Sequence, residues 1–82
     1  MPKNWHHFSY KEHIAFLIEH GFVFVHGEGS HFFYVKRGDD GRDSIVQAIK
    51  GKEEPRQSRK TIDMSIRHSG IPKSEYKTWI NR

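Results

Sequence analysis

The sequence predicts an α+β fold of order α-β-β-β-α: a three-stranded antiparallel sheet, helices on one face of it, and a short C-terminal helix. Three observations carry this reading. A helix-start signal at Ser9 precedes an apolar pattern of helical period. Three short runs rich in aromatic and β-branched residues come next, joined by segments dense in turn formers. A second helical stretch then lies between Ser58 and Gly70.

Ser9-Tyr10-Lys11-Glu12 has the spacing of a capping box, in which the hydroxyl accepts from the backbone three residues on and the carboxylate reaches back. The helix it opens is expected over about residues 10–20, with Tyr10, Ile14, Leu17 and Ile18 on its buried face and Gly21 closing it. Phe22-Val23-Phe24-Val25-His26 follows at once as a strand, and Gly27-Glu28-Gly29 reads as the hairpin turn. The second strand is expected over about His31 to Lys36. Alternation puts His31, Phe33 and Val35 on one face and Phe32, Tyr34 and Lys36 on the other, and Lys36 suggests that the latter face meets water.

Arg37-Gly38-Asp39-Asp40-Gly41-Arg42 turns the chain into a third strand, about Asp43 to Ile49. Residues 50–57 read as an exposed loop. Ser58 caps a helix whose stripe of Ile62, Ser65, Ile66 and Ser69 is weakly apolar, which predicts shallow packing. Pro72 fits the first turn of a last helix that docks through Tyr76, Trp79 and Ile80.

The chain has 82 residues, a size that gives one domain with a small core, taken here as residues 1–82 with 1–8 as an N-terminal arm. Cysteine is absent, which excludes disulfides and thiolate metal sites and suits a reducing compartment. No run approaches the roughly 20 apolar residues of a membrane span, and the N-terminus lacks a signal-peptide core, so a cytoplasmic protein without a membrane partner is expected. Fourteen Lys and Arg against ten Asp and Glu give a net charge of +4, which favours a polyanionic partner.

Gly29-Ser30-His31 sits at the mouth of the second strand, where a side chain is held firmly while staying near solvent. Imidazole takes or gives a proton near neutrality, so His31 suits general acid or base work as well as plain packing. With Gly21-Phe22-Val23 before it and Tyr34 three residues beyond, in this element order, the chain resembles the HicA, or YcfA-like, family of bacterial toxins over about residues 10–80. The Ser69-Gly70-Ile71 close of the second helix belongs to the same likeness.

That resemblance implies a double-stranded-RNA-binding-like fold and an endoribonuclease that cleaves mRNA independently of the ribosome. It also implies a catalytic His31 and neutralisation by a HicB-like antitoxin. Two segments depart from the family pattern. Ala48-Ile49-Lys50-Gly51 stands where a basic segment with Pro and His is usual, and Gln57-Ser58-Arg59-Lys60-Thr61 replaces a Gly-Thr-Leu-like helix start.

RNA can be cleaved without a metal if a base takes the 2′-hydroxyl proton, a cation stabilises the phosphorane and an acid protonates the leaving 5′-oxygen. His31 is the candidate acid or base. Ser30 is a candidate to orient the ring or the phosphate, and Gly29 to set the backbone beside the RNA. Tyr34 is more readily a cover for the sheet than a stacking platform. Lys50, Lys52, Arg56, Arg59, Lys60 and Arg67 cluster in and after the loop before the second helix and form the expected RNA footprint.

No cofactor is expected, and no metal. His13 and His20 lie two helical turns apart, about 10 Å in rise, too far to share an ion. The alternative reading is a non-catalytic RNA-binding module on the same fold, and a third is a protein-interaction domain whose charge confers solubility.

Overall fold

The computed structural model describes residues 2–50 and 56–82. The elements run α1 (Tyr10–Glu19), β1 (Val23–Glu28), β2 (His31–Arg37), β3 (Asp43–Ile49), α2 (Arg59–Ser69) and α3 (Lys73–Ile80). The strands form one antiparallel sheet of order β1-β2-β3, so the α-β-β-β-α order and the short last helix are as the sequence predicts. Among the described residues no helix is long and apolar enough to cross a membrane.

Local signals set most element ends. The capping box forms in full, with Ser9 Oγ accepting from Glu12 N at 3.1 Å and Glu12 Oε1 from Ser9 N at 2.9 Å. Ser58 caps α2 by accepting from Thr61 N at 3.1 Å, and Gly70 closes it at φ +74°, a left-handed conformation that costs a residue with a Cβ. The β1–β2 turn is shorter than the three residues predicted. Glu28 pairs with His31, leaving Gly29-Ser30 as a two-residue loop with positive φ at Gly29 alone, the pattern of a II′ hairpin.

Two face assignments are corrected. Tyr34, Val46 and Ala48 are buried, so the Phe32 and Tyr34 side of β2 is the inner face. Lys36 is exposed only because it lies at the strand's end, where its stem passes over Gly21. On α1 the buried stripe is His13, Phe16 and Leu17, while Ile18 is 56% exposed. A polar residue inside that stripe hides it from a hydrophobicity count.

The core joins Phe8, Phe16, Leu17, Phe22, Tyr34, Val46, Ala48, Ile62, Tyr76 and Ile80. Phe16 packs on Tyr76 with ring centroids 4.2 Å apart, and Phe8 stacks on Trp79 at 5.6 Å. Phe8 is fully buried, so the N-terminal arm belongs to the body. Lys3 and Asn81 tie it to the C-terminus through reciprocal bonds of 2.7 and 2.8 Å.

α2 packs deeply rather than shallowly, because its polar stripe residues enter a buried hydrogen-bond chain. Gln57 Oε1 can only accept, so His13 donates to it from Nδ1 at 3.2 Å. The neutral ring then accepts at Nε2 from Ser65 Oγ–H at 3.0 Å, and Ser65 accepts from the Tyr76 hydroxyl at 2.7 Å. Gln57 also accepts from Ile49 N–H at 3.0 Å and donates to Ile49 O. Among the described residues no buried side-chain nitrogen or oxygen lacks a partner.

Leu17→Ala should lower unfolding free energy by about 2–5 kcal/mol, whereas Ile18→Lys should change it by less than about 0.5 kcal/mol. Equal losses in denaturant melts would rule out the assigned face. Burial pushes the His13 imidazole down to about 4 from an ordinary 6.5. Its neutral form thus contributes stability that is full above pH 6.5 and is lost as pH falls toward about 4. The loss expected across that window is about 3 kcal/mol, and a folded His13→Gln chain should lack this slope.

Candidate functional site

Gly29 and Ser30 lie at the exposed tip of the hairpin, and His31 is the first residue of β2. Lys50 N–H donates to Ser30 O at 2.8 Å, so the residue after β3 is pinned beside the turn. Gly29, Ser30, His31 and Lys50 are thereby neighbours in the backbone, although 19 positions separate Lys50 from His31 in the chain.

His31 is exposed on the outer face of the sheet, opposite Ile49 on one side and Glu28 on the other. Its Nδ1 is hydrogen-bonded to the side-chain amide nitrogen of Gln47. An amide N–H can only donate, so the neutral ring accepts at Nδ1 and carries its proton on Nε2. In that tautomer Nε2–H is a hydrogen-bond donor.

Gln47 and Ile49 also line a groove of about 540 Å³ between the outer face of the sheet and one flank of α2. Phe33 and Ile45 complete the sheet wall, and Lys60, Met64 and His68 stand on the helix wall. The groove is mostly apolar, with one cation, one amide and one imidazole among its polar groups. His31 adjoins it through Gln47. His26 stacks on Phe33 at 5.9 Å and lies 3.8 Å from the Glu28 carboxylate, extending the polar rim across β1.

The expected RNA footprint divides. Lys60 lines the groove, and Lys50 flanks the turn by its backbone. Arg59 faces a different cleft, with its guanidinium 5.6 Å from the centre of the Trp5 ring. Arg67 pairs with Asp63 at 3.7 Å one helical turn away, and Arg56 forms an isolated bridge with Ser9, so neither belongs to the groove. Lys52 lies outside the described residues. Tyr34 is buried on the inner face and covers the sheet.

Gln47, His68 and Met64 escape the sequence reading. Gln47 could have been found from the meander alone: once His31 opposes Ile49, the residue two before Ile49 is on the same face, diagonal to the imidazole. His68 carries no such signal, because the angle of α2 to the sheet brings it to the groove. Gln57, one of the departures from the family pattern, is buried and has a structural task.

Nitrogen NMR of the imidazole ring should find the neutral His31 side chain mainly in the Nε2–H tautomer, with that preference reduced in Gln47→Leu. Identical tautomer ratios in the two chains would contradict the assigned contact. Comparison with protein-family models, curated proteins and solved structures finds no match to this chain.

Proposed function

We propose that this chain is a HicA-like toxin: a metal-independent endoribonuclease that cleaves mRNA in the cytoplasm and is held inactive by a HicB-like antitoxin. The observation that carries the reading is the Gly29-Ser30-His31 hairpin. It presents an exposed imidazole, hydrogen-bonded to Gln47, at the edge of a groove that also holds a cation.

In this reading the ribose 2′-oxygen attacks the adjacent phosphorus and the bond from phosphorus to the 5′-oxygen breaks. The products are a 2′,3′-cyclic phosphate and a 5′-hydroxyl. Protonated at the start of the cycle, His31 gives its Nε2 proton to the leaving oxygen and is left neutral, with the Gln47 side-chain amide turned so that its oxygen accepts from Nδ1–H. His68, on the helix wall of the groove, takes the proton of the 2′-hydroxyl, and Lys60 offsets the charge that builds on the phosphorane. Lys50 and the chain's net charge of +4 support attraction of the polyanion.

Glutamine at position 31 keeps roughly the volume and hydrogen-bonding capacity of histidine but cannot exchange a proton near neutrality. His31→Gln is therefore expected to fold, to bind RNA within a few-fold of the parent and still to meet the antitoxin. Cleavage and cellular toxicity should drop on the order of 100-fold or more. Full cleavage by a folded His31→Gln chain would overturn the catalytic assignment. Unchanged RNA binding in a parent that never cleaves would select the non-catalytic module instead.

A further inference from the structure

The N-terminal arm builds a second cleft that the reading above does not use. Trp5, half-buried against the core, forms its floor together with Arg59, Lys60, Asp63 and Lys73, enclosing about 450 Å³. Lys73 Nζ lies 4.4 Å and the Arg59 guanidinium 5.6 Å from the indole centroid. Two cations that repel each other are thus held beside one aromatic ring, which attracts both through its quadrupole. The acidic side chain in the lining, Asp63, is engaged by Arg67 at 3.7 Å, so the cleft keeps an excess of positive charge.

Lys60 lines both this cleft and the groove beside His31. One side chain therefore marks the junction of two cavities on adjacent faces of α2. A polyanion with regularly spaced charges can occupy both at once, whereas a single small anion occupies one. We infer that the Trp5 cleft is a second binding site for the phosphate backbone of an RNA strand, continuing the track that begins at His31. Arg59, Lys60 and Lys73 take phosphates there, and Trp5 holds Arg59 and Lys73 in place. This inference rests on the RNA reading of the groove and extends its footprint to Trp5 and Lys73.

The test uses the full chain and oligouridylates whose 2′-hydroxyls are methylated, so that binding is read without cleavage. One probe has about a dozen nucleotides, enough to span both cavities, and the other has about three. Trp5→Leu and Lys73→Ala are each expected to weaken the long probe by about 3-fold to 10-fold, and Lys73→Ala to reduce the salt slope by about one. The short probe should bind parent and variants alike, and Trp5→Tyr should restore most of the loss. Lys73 is exposed at the start of α3, so its truncation leaves the core intact. Parent-like affinity and slope for the long probe in Lys73→Ala and Trp5→Leu would overturn the second site while leaving RNA binding at the groove standing. A parent that binds neither probe would overturn both.

Discussion

A neutral imidazole in the core sets the terms for the rest of this structure. His13 has no exposed surface, so both ring nitrogens must be hydrogen-bonded within the protein, and the partners come from different elements. Tyr76 of α3 donates to Ser65 of α2, Ser65 to His13 of α1, and His13 to Gln57 in the connection before α2. Gln57 then satisfies both backbone groups of Ile49, which point away from β2 at the edge of the sheet. One proton order satisfies the entire chain, and it fixes how three helices meet one strand end.

The candidate site inherits this order. Ile49 is the residue across from His31, and Lys50, the next along, donates to Ser30. The polar core chain thus holds the strand end against which the Gly29-Ser30-His31 turn is registered. A two-residue hairpin contributes stiffness from the other side, and Gln47 selects which ring nitrogen carries the proton. An exposed imidazole gains orientation from these contacts without losing access to a large ligand. The same α2 that enters the core through Ile62 and Ser65 turns Lys60 and His68 outward onto the groove.

Much of this was legible in the residues, and the failures share a cause. The caps at Ser9 and Ser58, the third strand from Asp43 to Ile49, and the docking of Tyr76 and Ile80 follow from local spacing and hydrophobic period. The buried face of α1 was displaced because its centre is a histidine, and apolar counting rotates the helix toward Ile14 and Ile18. α2 looked too polar to pack deeply, since hydrogen bonds rather than apolar area accommodate Ser65. Lys36 misled the face of β2 because a long side chain at a strand end reaches water from either face. At the site, His31, Ser30 and Gly29 are contiguous and could be read together, while His68 and Trp5 reach their positions only through tertiary packing.

The proposed function puts the His31 imidazole to work cleaving RNA without help from a metal. The most direct measurement incubates the purified chain with a structured mRNA in the presence of EDTA and analyses the ends of any fragments. The expected fragments end in a 2′,3′-cyclic phosphate and begin with a 5′-hydroxyl. Intact RNA under these conditions, or cleavage that appears only when a divalent ion is added, would contradict the proposed function.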